Sequence, residues 1–420
     1  MALSTTSASE SMQQEQSAQQ SNKPKQPQHK HDRLITRDMA LVMLATFCFM
    51  SSNMLANPIV AGYAESLGAS GMLMGVVAGS MSFISLFCRP IAGNLSDRTS
   101  KRTLVAAGTV LYFAAGLLYY FAGSPIMLIM ARVINGVGFA CCSVCLATWM
   151  SLLLPIRHMG AGMGLYGTMN ALAMAVGPAF GIRAQKYIGY RLTFLSSLVL
   201  AAIMLIATLM VKNGGQPVRK KQTSISATKK HRFSIRSILE PRVVPLSLTF
   251  MMFAIAYFAN QSFIMNYIEA RHLPVSADLF FMFYAVALLV LRLGLRDLFD
   301  SRGFRFWLTV CSLGMLAMLA CMTFLFNDWM LLLAAIFTAI GYGLMSSVTQ
   351  AQAVVIAGRE RSGIANSTYY AGIDLGMSVG PFVGGLVYGR LSAVWFYPVF
   401  MLAMPVAWLI YLLCVRRVSR

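Results

Sequence analysis

The sequence carries one pattern twice at a fixed spacing. Arg89 and Arg292 close matching apolar segments, Asp97 and Asp300 lie in the polar turns that follow, and Gly177-Pro178 and Gly380-Pro381 interrupt two later apolar segments. The members of each pair lie 203 residues apart. Three features at one offset indicate a duplicated chain. Duplicated halves of this length that are almost wholly apolar fold as two membrane bundles around a central site.

The apolar content sets the class. The chain is 57% hydrophobic and 11% charged, with a mean hydropathy of +0.65, far from a soluble average. A spanning helix needs about 20 mostly apolar residues, and about twelve such runs follow one another from Met39 onward. They are expected near 38–63, 71–93, 103–123, 125–150, 160–184, 190–211, 243–269, 275–299, 304–326, 328–357, 361–388 and 391–415. Open sheets cannot satisfy their backbone in hydrocarbon, so the runs must be helices. The expected fold is all-α and polytopic, with two pseudo-symmetric six-helix bundles at 38–211 and 243–415. Residues 1–37 are expected to be a disordered cytosolic tail, since they are rich in Gln, Ser and Lys and show no cleavable signal. A basic linker at 212–242, with a short interfacial helix near Phe233–Leu239, would tether the bundles. Residues 416–420 would form a second cytosolic tail.

A net charge of +20 suggests nucleic acid until its distribution is read. Lys23, Lys25, Lys30, Arg33 and Arg37 precede the first span. Arg98, Lys101 and Arg102 follow the second. Nine basic residues fill 212–242, and Arg416, Arg417 and Arg420 end the chain. With an even number of spans all of these fall on one face, whereas the opposite loops are short and nearly neutral apart from Arg183, Lys186 and Arg191. That bias predicts a multi-pass protein of the cell membrane with both termini cytoplasmic. Nucleic acid is not expected as a partner. The eight cysteines lie within or beside spans without metal-like spacing, so they read as packing residues and no metal is expected. No H-E-x-x-H, G-x-S-x-G or phosphate-binding loop occurs, which argues against an enzyme or an ATPase.

The turn after the second span reads Gly93-Asn94-Leu95-Ser96-Asp97-Arg98-Thr99-Ser100-Lys101-Arg102. It resembles the loop signature G-x-L-a-D-r-x-G-r-k of the major facilitator superfamily, with Ser96 and Ser100 at the usual Ala and Gly. Gly93 would permit close helix approach, Asp97 would face a helix N-terminus, and Arg98, Lys101 and Arg102 would complete a conformational latch. The second-half turn, Arg296 to Gly303, is degenerate. The fourth span, with Arg132, Asn135, Gly136 and Gly138, is similar to the superfamily pattern l-x-x-x-R-x-x-q-G-x-g-x-a, whose arginine is associated with proton movement in antiporters. The alternative for Arg132 is a charge snorkelling to the interface. Gly177-Pro178 and Gly380-Pro381 belong to elements similar to the antiporter motif g-x-x-x-G-P-x-x-G-G, complete in the eleventh span. In the fifth, Ala173 and Ile182 replace two glycines. These prolines read as helix hinges or as sites of tight static packing.

Asp374 lies mid-way along the eleventh span, and its partner at the 203 offset is Ala171. A carboxylate at bilayer depth is expensive when charged, so both of its protonation states come within reach. That suits a proton-coupling residue acting with Arg132. It also suits a buried partner for a basic group. Four polar pairs recur at helical spacing: Asn53 with Asn57, Tyr166 with Asn170, Tyr257 with Gln261, and Tyr370 with Asp374. They fall on spans one, five, seven and eleven, which approach one another in this architecture, and would line a substrate cavity. Glu65 and Glu269, 204 residues apart, read as solvated interfacial carboxylates.

These features, resembling the drug–proton antiporter branch, imply a monomeric alternating-access transporter that exports a small amphipathic molecule. It would be driven by the proton gradient without a cofactor. An importer or uniporter of a metabolite remains open, as does a non-transporting membrane sensor or assembly partner.

Overall fold

A computed structural model describes residues 36–154, 159–216, 239–295, 302–358 and 362–415. The expected interfacial helix, most of the linker, both tails and the turn at 296–301 lie outside the described residues. Those described are almost wholly helical, and no strand occurs among them.

Helices α1 (Arg37–Ser66), α2 (Gly71–Arg98), α3 (Lys101–Phe121) and α4 (Pro125–Leu153) match the first four expected spans. Two sequence signals mark the start of α4. Ser124 caps its N-terminus by accepting from the Met127 amide, and Pro125 occupies the first turn, where its missing donor is not needed. The fifth and sixth expected spans are two helices that meet at Gly189 with no loop between them, and together they are labelled α5 (Met159–Met210). The break expected between them falls at Gly189, whose φ of +76° is a left-handed value that glycine adopts without a Cβ clash.

The remaining helices are α6 (Val244–Ala270), α7 (Ala277–Gly294), α8 (Phe304–Thr323), α9 (Asp328–Ala357), α10 (Ser362–Arg390) and α11 (Ala393–Cys414). Within α9 a π-helical stretch, Ala339–Leu344, widens the backbone. Ten of these helices are long and apolar enough to cross a membrane. Dividing α5 at Gly189 and adding the 18-residue α7 gives the twelve crossings expected. Arg37 and Cys414 then share one face of the molecule, called here the near face.

Surface chemistry agrees with a lipid environment. Leu195, Val199, Ile203, Ile206 and Leu209 on the second arm of α5 are all exposed. In water such a stripe would be an aggregation hazard, whereas lipid tails solvate it.

Helix α1 packs on α5 and on α6, and α6 packs on α10. The first and second halves of the chain also meet along α2–α10 and α5–α7. The α2–α10 approach depends on small residues, as membrane helix pairs commonly do. A Cβ on Gly75 would lie 2.6 Å from the Pro381 carbonyl oxygen, so the backbones touch there.

Candidate functional site

The polar contacts between the two halves of the chain are unevenly distributed with depth. At the far face, Glu65 on α1 accepts from Asn266 on α6 and from the Tyr388 hydroxyl on α10, the latter at 3.1 Å. Arg183 on α5 pairs with Asp278 on α7 at 3.3 Å. Deeper, the Gln261 amide donates to the Met54 sulfur at 3.7 Å. At mid-depth Arg89 on α2 meets Asp374 on α10. The contacts of Glu65 and of Arg183 close the molecule at the far face.

Asp374 is 2% exposed. Arg89 Nη2 donates to its Oδ1 at 3.0 Å, and Arg89 Nε completes the ion pair with Oδ2. The guanidinium also lies over the rings of Phe139 and Tyr370, 5.6 and 5.9 Å from their centroids. A buried carboxylate held by two guanidinium nitrogens is a strong, directional contact, and removing either partner strands the other charge. Tyr370 itself is 42% exposed although it lies about two turns inside a spanning helix. Its hydroxyl is in electrostatic range of that of Tyr166 on α5, which also lies within reach of Thr46 and Asn170.

Arg132 does not contact Asp374. It is 2% exposed, so it does not snorkel, and every recorded partner lies in the first half of the chain. Its Nε donates to the Val77 carbonyl at 3.2 Å, Nη2 to the Ala78 carbonyl, and Nη1 to Asn57 Oδ1 at 3.1 Å and to the Met81 sulfur at 3.6 Å. The guanidinium thus clips α4 to α1 and α2.

The other expected cavity residues divide between lining and packing. Asn53 is buried and neither of its amide atoms has a hydrogen-bond partner. Asn57 faces Arg132, and Asn170 turns back on its own helix to the Tyr166 carbonyl. Tyr257 is fully buried, stacked face to face on Tyr342 with centroids 4.0 Å apart. Gly177 lies against Met54 and Ser51 on α1, and Gly380 against Ile255 and Ala259 on α6, so both Gly-Pro elements serve close packing in this conformation.

The described bonds of the expected latch stay within the first half. Lys101 donates to the Ser96 carbonyl, and Arg102 donates to the carbonyls of Val211 and Lys212. Arg98 is exposed, and nothing lies within 4 Å of a Cβ placed on Gly93. The Asp97 side chain lies outside what is described. Instead, the turn grips the strand of chain that leaves α5. Ser100 Oγ donates to the Gly214 carbonyl at 2.7 Å, Trp149 to the Asn213 carbonyl at 2.9 Å, and the Asp38 carboxylate accepts from the amides of Lys212 and Asn213.

Sequence reasoning marked Arg89 only as one member of a repeat and left it without a role. The available signal was that an arginine 9 residues inside a spanning helix needs a partner, and Asp374 is a carboxylate at comparable depth. The tyrosines Tyr284, Tyr342 and Tyr369 were missed for want of any motif.

Comparison with known proteins bears on the family and the fold. The family profile described as Major Facilitator Superfamily matches residues 42–328 and 302–420. An uncharacterised MFS-type transporter of Methanocaldococcus jannaschii is 23% identical over 376 residues, covering 86% of this chain and 92% of that one. The human synaptic vesicular amine transporter is 26% identical over 172 residues, 41% of this chain and only 33% of its own length. Among solved structures, the nucleoside transporter NupG superimposes with a TM-score of 0.73 at 13% identity, covering 90% of this chain and 99% of that one. A peptide-transporter-family (POT) protein bound to 5-aminolevulinic acid superimposes with a TM-score of 0.74 at 11% identity, covering 91% and 97%. At such identities the structural likeness shows the fold alone. The profile covers nearly the whole described chain, and the chain is a multi-pass membrane transporter belonging to the major facilitator superfamily.

Proposed function

We propose that the protein is a proton-coupled antiporter of the cell membrane that exports a small amphipathic compound by alternating access. In this reading two bundles, 38–211 and 243–415, rock about the central site as a monomer, with the near face toward the cytosol. The observation that carries it is the Arg89–Asp374 pair, a titratable carboxylate at mid-depth on one of the helix contacts joining the two halves.

The chemistry follows from the pair. With Asp374 ionised, the pair ties α2 to α10 at mid-depth while the far face is closed. A proton on Asp374 removes the negative charge and leaves Arg89 without a counter-ion, so α2 and α10 lose their polar tie. Losing one side of a buried pair is worth about 3–5 kcal/mol. Driving a two-state equilibrium from 1:99 to 99:1 takes about 5.5 kcal/mol. One proton therefore supplies most of the bias that a switch of this kind needs. The turn at Gly93, Asp97, Arg98, Lys101 and Arg102 would close the near face in the alternative state. Gly177-Pro178 and Gly380-Pro381 would accommodate the bend. Arg132, without a contact to Asp374, would hold the first bundle together while the pair breaks.

The test is proton-gradient-driven flux in reconstituted vesicles, with Asp374→Asn as the diagnostic variant. Abolished flux in a folded variant supports the reading, and unchanged flux overturns it. The substitutions Ala173 and Ile182 in the fifth-span motif favour one other reading, an importer or uniporter. Counterflow in inverted and right-side-out vesicles separates export from uptake.

A further inference from the structure

The repeat that relates the two halves also pairs their helix contacts. Helix α2 packs on α10, and the related pair α7 and α5 also pack on each other. Arg89 on α2 corresponds to Arg292 on α7 at the 203 offset. Across from Arg89, α10 presents Tyr370 and Asp374. At the same offset α5 presents Gly167 and Ala171. One copy of the contact therefore holds an arginine, an aromatic ring and a carboxylate, while the other keeps the arginine and lacks both counterparts.

The structure shows what this leaves behind. Among the described residues no carboxylate pairs with Arg292, and its Nε is buried without a hydrogen-bond partner. A buried guanidinium nitrogen lacking an acceptor is costly, and an oxyanion is the group that best satisfies its planar fork. Nothing lies within 4 Å of a Cβ placed on Gly167, so the place that Tyr370 would fill is open. The walls near Arg292 are aromatic. The hydroxyls of Tyr284, Tyr342 and Tyr369 are in its electrostatic range, and Tyr342 stacks against Tyr257. Asp374, the carboxylate nearest in kind, is already held by Arg89.

We propose that Arg292 is the substrate-binding residue for an amphipathic organic anion, whose oxyanion group takes the seat left empty at Ala171 and whose apolar ring fills the space beside Gly167. The proposal rests on the transporter reading and names the substrate class of that same central site. In effect the ligand supplies to the second copy of the contact what Asp374 and Tyr370 supply to the first.

The test uses the purified full-length chain in detergent and four probes of similar size: benzoate, phenyl phosphate, benzyl alcohol and benzyltrimethylammonium. Binding is followed by calorimetry. Benzoate or phenyl phosphate is expected to bind at least tenfold more tightly than the neutral and cationic probes, and the two anions separate a carboxylate from a phosphate preference. Arg292→Gln should lose that preference and Arg292→Lys should retain part of it. Ala171→Asp is the sharper variant, because its new carboxylate would pair with Arg292 and exclude the anion while raising the melting temperature. Should Arg292→Gln fail to fold, Ala171→Asp alone decides the matter. The proposal is overturned if neither anion binds, if the cation binds as well as the anions, or if Ala171→Asp leaves anion affinity unchanged. In any of those cases, Asp374-dependent, gradient-driven flux would leave the proton-coupled reading standing.

Discussion

Arg89 and Asp374 stand 285 positions apart in sequence and meet as an ion pair in which both carboxylate oxygens face the guanidinium. The pair spans one of the helix contacts that must separate if the two halves move. Its loss should be read in two currencies, stability and flux. Asp374→Asn leaves Arg89 unpaired and is expected to lower stability by about 3 kcal/mol. The double variant Arg89→Gln/Asp374→Asn should recover much of that loss, because no buried charge is left stranded. Neither variant should couple flux to a proton gradient. A double-mutant cycle of melting temperatures, run beside vesicle flux, checks both. Additive melting shifts would mean that the two side chains are not energetically linked.

Arg132 makes its bonds within the first half, to backbone carbonyls of α2 and to Asn57. Hydrogen bonds to a charged donor are worth roughly 1.5–3 kcal/mol each in net terms. Arg132→Ala is expected to lower the melting temperature more than Asn57→Ala does. The double variant should be less destabilised than the sum, since the two share one bond. Thermal unfolding of the three purified proteins measures this. Equal and independent effects would show that the clip does not depend on the Asn57 contact.

Much of the fold was legible because lipid imposes a simple rule, about 20 apolar residues per crossing. That rule located every helix to within a few residues, and only the form of one join was hidden from it. Between the fifth and sixth spans the chain turns at a single glycine of positive φ, Gly189, with no polar loop. Apolar counting is blind to that, since it registers only where polarity rises. The repeat offset picked out Arg89, Ala171 and Arg292 before any coordinates. What it could not supply was pairing, because the partner of a buried charge is set by which helices touch. Asp374 accordingly drew attention as a lone carboxylate, and the natural guess among basic residues was Arg132, which carries a motif. The structure gives the contact to Arg89, one place along a helix pair that spacing alone did not connect.

The glycine contact between α2 and α10 joins the two halves in this far-face-closed conformation, which makes it a handle on the conformational equilibrium. At Gly75 there is no room for a Cβ beside the Pro381 carbonyl. Gly75→Leu is therefore expected to hold the helices apart and favour the state open at the far face. Ser378, buried at this same contact, offers a reporter. In a background without native cysteines, Ser378→Cys should react slowly with an impermeant maleimide applied to the far face. Adding Gly75→Leu should speed that reaction at least tenfold. An unchanged rate would mean that the contact relaxes without opening.

Glu65 reports on the same closure through polar bonds. Its carboxylate accepts from Asn266 and from Tyr388, so one first-half side chain is tied to two second-half helices at the far face. The residue is exposed, and water competes for both bonds, which keeps the net worth of the contact near the low end for charged acceptors, about 1.5 kcal/mol. That still corresponds to roughly a tenfold change in an equilibrium constant. Glu65→Ala should therefore shift the population toward the far-face-open state by about that factor. It should leave the melting temperature close to that of the parent, because no buried group is left unpaired. Glu65→Gln keeps an acceptor oxygen and should fall between the two. The same maleimide assay on Ser378→Cys reads the shift. If Glu65→Ala labels no faster than its parent, the two bonds do not hold the far face shut, and closure rests on the glycine contact and the Arg183–Asp278 pair.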